Sequence, residues 1–243
     1  MTEEGMPLEY SGHAHVSRAS RKEELRAILG NPTPLGVMGF ILSLTPLACD
    51  LMEWRGAGGF GAATVGTAYF FGGLLMILAA VLEFILGNTF IFVVFSSYAA
   101  FWLSLAATLT PFYAAYTAYE PSDPTNPGFN NSYAFFEVFM GLLCFIYLIC
   151  SIRTNLCFVV IFLALTLGFS FLAGTSWQLA NGNADLSRSL KKVGGACLFV
   201  GAISGWYFLL VQMLASVDFP FTLPVGDLSR IVRGASDKSA KAV

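Results

Sequence analysis

Charge is what this chain has least of. Only 12% of its residues are Asp, Glu, Lys or Arg, its longest apolar stretches contain almost no basic residue, and both histidines, His13 and His15, lie in the first fifteen positions. A permanent anion site built on arginine is therefore not expected, and no basic surface suggests a nucleic-acid partner. The five cysteines, Cys49, Cys144, Cys150, Cys157 and Cys197, show no CxxC or Cys/His spacing. They indicate neither a disulfide framework nor a metal site, and read as small packing residues. No phosphate-binding glycine loop appears, and no nucleophile, base and orienting group converge, so an enzyme and a bound cofactor are not expected. A cleavable signal peptide is also not expected, because the first thirty residues are polar and carry Arg18, Arg21, Lys22 and Arg26. The first membrane helix must direct insertion itself.

Apolar sequence is what the chain has instead. With 56% hydrophobic residues and a mean hydropathy of +0.69, it reads as an all-α integral membrane protein. A helix needs about 20 apolar residues to cross the hydrocarbon core. Six stretches approach that length, at residues 34–51, 63–86, 90–113, 134–152, 156–179 and 193–215. The short links at 87–89 and 153–155 make two tight hairpins. Six crossings put both termini on one side, and placing them inside leaves nine basic residues within and four outside. The positive-inside rule reads this as cytoplasmic termini. Residues 1–30 and 216–243 are then polar cytoplasmic tails around a transport domain at 31–215. The 114–133 loop lies outside, and its Asn130-Asn131-Ser132 sequon agrees with that placement.

Acids at membrane depth are few, and such residues are expensive enough to be functional candidates. Asp50, Glu53 and Glu137 read as interfacial. Glu83, near one end of the second span, reads as equally suited to an anchor or a working group. Paired glycines, including Gly72-Gly73 and the GxxxG pair Gly201 and Gly205, read as close helix contacts. At Asn31-Pro32-Thr33-Pro34-Leu35-Gly36, asparagine suits a helix N-cap and proline the first turn. The free N–H groups and positive end of that helix are expected to face the mouth of the membrane domain and receive a small anion.

That stretch, continuing through Val37-Met38-Gly39-Phe40, resembles the N-P-x-P-L-G-L-M-G-F signature of the acetate uptake transporter family, which includes bacterial YaaH permeases and fungal acetate permeases. A second block is similar to the family's E-x3-GNTF-x4-F-x-S-Y-x2-F-W-L run: Glu83, Gly87-Asn88-Thr89-Phe90, Phe95, Ser97-Tyr98 and Phe101-Trp102-Leu103. Between them, Tyr69 to Gly73 resembles an F-x-GG element. The resemblance implies a six-helix protomer in a homo-hexamer at the plasma membrane, each protomer with its own path for acetate and similar short monocarboxylates. It implies a constriction of Phe40, Tyr98 and Leu163. Val37 replaces the usual leucine, and the long outer loop and tails look more like the fungal branch.

Desolvating a bare carboxylate is prohibitive, of order 20 kcal/mol by an idealised Born estimate, so the path must hydrate it, donate hydrogen bonds or take the neutral acid. The sequence offers neutral donors at Asn31, Asn88, Thr89, Ser96, Ser97 and Tyr98. Acetate is therefore expected to cross with a proton, with Glu83 as carrier or anchor. Succinate is a possible further substrate. The competing readings are an ammonia or ammonium exporter and a membrane sensor of acetate metabolism.

Overall fold

The computed structural model describes residue 25, residues 28–229 and residues 231–232. Among the described residues, six helices are long and apolar enough to cross a bilayer: α1 Thr33–Leu51, α2 Ala62–Ile85, α3 Thr89–Leu109, α4 Pro127–Ser151, α5 Leu156–Ala180 and α6 Ala184–Ser216. This is a multi-pass integral membrane protein. α5 packs between α4 and α6, α1 joins α6 to α2, and α3 lies on α2. Side chains close the gap between α3 and α4, through the Ser97 and Tyr147 hydroxyls at 3.0 Å and Tyr98 Oη against Cys144 Sγ at 2.9 Å.

Alternating spans make α1, α3 and α5 parallel, and these three form the inside of the bundle. They are buried over 56, 44 and 56% of their most apolar stretches, against 39, 39 and 28% for α2, α4 and α6. Helix contacts this close need small residues. A Cβ at Gly205 of α6 would lie 2.5 Å from Ile41 of α1, and one at Gly72 of α2 would lie 2.4 Å from Trp102 of α3. α2 is not uniform, because residues Ala68–Leu75 form a wide π-helical stretch around Gly72 and Gly73. The extra residue per turn re-aims one face of the helix, a device that apolar composition alone does not reveal.

Three boundaries differ from the sequence reading, and each has a local cause. α3 ends at Leu109, because Pro111 follows and opens a short 3₁₀ turn, Pro111–Tyr113. α4 starts at Pro127, seven residues before the expected position: Asn126 Oδ1 accepts the Gly128 and Phe129 N–H groups at 2.8 and 3.2 Å, with proline in the first turn. α6 begins at Ala184, and at 33 residues it is about 50 Å long, so its polar first turns extend beyond the hydrocarbon.

The early start of α4 takes the sequon out of the 114–133 loop. Asn130 is helical and 7% exposed. Its Nδ2, the atom a glycan would occupy, donates to the carbonyls of Pro124 and Asn126 at 2.8 and 2.9 Å.

At the end away from the termini, Glu53 gathers Arg188, Lys191 and Lys192 at 2.5, 2.9 and 3.1 Å. Hydrogen bonds from Arg188, then Lys191 and Lys192, hold its carboxyl well below the usual carboxylate range. Three of the four basic residues assigned to this side thus gather around one carboxylate. Asp50 accepts the Gly61 N–H at 2.6 Å, an interfacial pairing of the kind expected.

Part of the expected C-terminal tail is docked on the bundle. The Leu156 and Leu228 N–H groups bond to Gly226 O and Thr154 O, and Tyr207 Oη donates to Pro224 O at 2.7 Å, so residues 224–228 strap the α4–α5 hairpin. Gly226 has φ +67°, and a Cβ there would lie 2.7 Å from Leu156 Cβ. Gly226→Val is expected to detach the strap at a cost of about 2 kcal/mol, combining left-handed strain with the clash. Faster proteolysis after residue 217 and a lower unfolding temperature in detergent are the readouts.

Candidate functional site

The two halves of the motif meet at the termini end of the bundle. Glu83 on α2 is fully buried. Thr33 Oγ1, in the first turn of α1, donates to its Oε1 at 2.5 Å, and Asn88 Nδ2, from the α2–α3 turn, donates to its Oε2. One carboxylate therefore ties the start of α1, the end of α2 and the start of α3. Gly87, at φ +70°, lets the chain reverse so that Asn88 points back at Glu83. The shared contact explains why an acid five residues before an asparagine belongs with a threonine fifty residues earlier.

Asn31 is one residue too early to be the cap. Pro32 occupies that position, and Asn31 Oδ1 accepts the Thr33 N–H at 3.1 Å. Pro34 has no N–H, and the Leu35 and Gly36 N–H groups reach Pro32 O at 3.0 and 3.4 Å. The first turn is already satisfied, so the expectation of free N–H groups receiving an anion does not hold. Side chains line the mouth instead: Asn31, Thr33 and Asn88, with Leu29, Gly30 and Leu86, enclose an open vestibule of about 340 Å³. Pro32 is buried beside it, Pro34 and Leu35 are half-buried, and Thr89 is exposed at the start of α3.

Deeper along α1, α3 and α5 the path is apolar and nearly closed. Gly36 admits the Phe95 ring, which would otherwise meet a Cβ at 2.3 Å. Phe40 and Tyr98 then face each other edge on, with ring centroids 5.6 Å apart. They border a cavity of only about 20 Å³ that Phe158, Ile161 and Phe162 of α5 complete. Tyr98 is 3% exposed, and its hydroxyl is directed to Cys144 rather than to the vestibule. Ser97 takes no place in this cavity, since its hydroxyl bonds Val94 O and Tyr147.

Leu163 is not part of the constriction. It is 47% exposed, whereas its neighbour Phe162 is 1% exposed. The inward stripe of α5 is Phe158, Ile161, Phe162, Leu165, Phe169 and Leu172, which keeps the helical period, and residue 163 lies about 100° away from Phe162. Counting that period back from a buried position identifies Phe162 and Leu165. Thr33, although it sits inside the motif, also has no role in the sequence reading, because a threonine between two prolines shows no sign of its partner.

Relatives place this architecture. The GPR1/FUN34/yaaH family model matches residues 17–230. Protein alcS of Aspergillus fumigatus is 46% identical over 216 residues, covering 86% of this chain and 79% of that one. The acetate transporter protein patA of Aspergillus clavatus is 29% identical over 228 residues, covering 92% and 90%. Among solved structures, the bacterial acetate channel SatP superposes with a TM-score of 0.64 at 25% identity, covering 82% of this chain and 99% of that one. A vestibule held by the Asn31 and Glu83 motifs, a closed aromatic segment on three parallel helices and these relatives agree: the chain belongs to the GPR1/FUN34/yaaH family.

Proposed function

We infer that this chain is an acetate transporter or channel that carries acetate and related short-chain monocarboxylates across a membrane. The observation that carries the reading is the sequence of environments along α1, α3 and α5: a vestibule of neutral donors, then the Phe40–Tyr98 closure. Such a path holds a small carboxylate weakly at its mouth and admits a methyl-bearing acid to a dry segment that impedes hydrated ions. The acetate-transporting relatives support the same conclusion. Membrane passage rather than catalysis is the function.

The termini are cytoplasmic, as the nine-to-four distribution of basic residues supports, so the vestibule opens inward. Plasma-membrane residence, a homo-hexamer and passage of acetate with a proton complete the proposal. Glu83 serves as an anchor of the inner mouth, since both its oxygens already accept side-chain hydrogen bonds. Glu83→Gln is expected to slow flux while leaving its pH dependence in place, measured as initial rates at several pH values. Flux without pH dependence in that variant would transfer the proton role to Glu83.

The direct test is uptake of labelled acetate into liposomes containing the purified protein, with and without a pH gradient and with succinate and ammonium as competitors. Saturable acetate flux that an inward proton gradient accelerates is the expected result. No acetate flux under any of these conditions rejects the reading.

A further inference from the structure

A second buried acid lies on the same axis, in the half of the bundle away from the termini. Glu137 of α4 is 4% exposed. It sits ten residues into its helix, about 15 Å from the start, because α4 begins at Pro127. Ser176 Oγ of α5 donates to its Oε2 at 2.7 Å, and the Glu137 side chain borders a cavity of about 30 Å³.

That cavity is stacked over the Phe40–Tyr98 closure. Leu47, Leu105 and Phe169 border it, each seven residues beyond Phe40, Tyr98 and Phe162 on α1, α3 and α5. Seven residues are two turns, so all three helices carry the path about 10.5 Å further from the vestibule. Among the described residues, no lysine or arginine lines the cavity. The titratable group beside Glu137 is Tyr133, one turn earlier on α4; α1, α3 and α5 present Leu47, Leu51, Leu105 and other uncharged side chains, and the α1–α2 connection presents Phe60. Lys191 lies over the Phe60 ring, 5.9 Å from its centroid, and belongs to the Glu53 cluster with Arg188 and Lys192.

We propose that Glu137, oriented by Ser176, is the outer proton-exchange station of the pathway. An acid inside a bundle, with no cationic partner among the described residues and bordering a small cavity on the substrate axis, has the arrangement by which intramembrane carboxyls relay protons. From the outer side, Glu137 Oε1 takes one proton, forming an O–H bond. It then gives that proton to an entering carboxylate: the Glu137 O–H bond breaks, one forms on the substrate oxygen, and Glu137 returns to its anionic form. The neutral acid so made is the species that crosses the dry segment at least cost. Ser176 is a positioning residue.

The proposal rests on the acetate-flux reading and adds the outer carboxyl to it. Liposomes with the protein in known orientation, assayed at fixed inner pH while the outer pH is varied, test it. The rise in acetate flux on outer acidification is expected to fall about tenfold or more in Glu137→Gln, consistent with loss of a positioned proton-transfer group. Ser176→Ala, which retains the acid, is expected to shift the midpoint of the rise. Unchanged pH profiles in both variants overturn the proposal, and if Glu137→Gln fails to assemble, an unmoved midpoint in Ser176→Ala overturns it alone. Should the wild type pass no acetate, the transport reading fails. The station is then decided by infrared difference spectra of the purified protein, in which a carboxyl band must follow bulk pH and be missing from Glu137→Gln; a spectrum without such a band overturns it.

Discussion

Phe40→Ala is expected to turn a selective path into a permissive one, with larger and more hydrated anions crossing beside acetate. The Phe40 ring meets Tyr98 at 5.6 Å across a cavity of about 20 Å³, and no polar side chain borders that cavity apart from the Tyr98 hydroxyl, which is occupied by Cys144. Removing one of the two rings therefore changes the narrowest dry segment directly. A buried Phe→Ala replacement in a packed core costs about 3–5 kcal/mol, so the variant is also expected to unfold at lower temperature. Tyr98→Phe keeps both rings and removes only the hydroxyl, so it separates width from hydrogen bonding. Initial liposome fluxes of acetate and of bulkier monocarboxylates provide the measurement. The ratio of bulky acid to acetate should rise steeply for Phe40→Ala and stay near wild type for Tyr98→Phe. An unchanged ratio in Phe40→Ala removes Phe40 from the selectivity element.

The outline of this molecule was legible in its sequence because a bilayer permits few solutions. With no water to satisfy backbone groups, runs of about 20 apolar residues become helices, and the links at 87–89 and 153–155 are too short for anything but hairpins. Helix starts outside the hydrocarbon follow different rules, which is why α4 and α6 were read too short. Asn126 and Pro127 begin α4 by capping chemistry, while the first turns of α6 are polar because Arg188, Lys191 and Lys192 reach Glu53. Hydropathy carries neither signal.

The site was legible in part for a similar reason. Phe40 and Tyr98 sit within local motifs, and both line the closure. Leu163 rested on a stretch of α5 that matched loosely, and in a helix that is apolar on every side a one-residue error cannot be detected from composition. Only burial separates Phe162 at 1% exposed from Leu163 at 47%. Pairings across long sequence separations, such as Thr33 with Glu83 and Glu137 with Ser176, depend on which helices become neighbours. A motif can record that its residues belong together without recording the contact.

Gly36→Val is expected to have the largest effect of any single substitution at the inner half, because it attacks the approach of α1 to α3 itself. A Cβ at residue 36 would lie 2.3, 2.5 and 2.6 Å from three atoms of the Phe95 ring, and Phe95 is 3% exposed. The ring borders only the cavity of about 20 Å³, too small to receive it whole. Relief must come from moving α1 away from α3, which disturbs the Thr33–Glu83 hydrogen bond one turn below and the Phe40–Tyr98 contact one turn above. Overpacking of a well-filled core costs about 1–3 kcal/mol, and helices joined through small residues lose their packing when the backbone approach is blocked. Gly66→Ala is the matched control: a Cβ there meets nothing within 4 Å, and that glycine lies in the helical stretch Val65–Thr67. Alanine at such a position is expected to be neutral or stabilising by up to about 1 kcal/mol. Thermal unfolding in detergent together with acetate flux in liposomes distinguishes the two. Gly36→Val should lose both stability and flux, Gly66→Ala should lose neither, and a fully active Gly36→Val would show that α1 and α3 need not meet at this distance for transport.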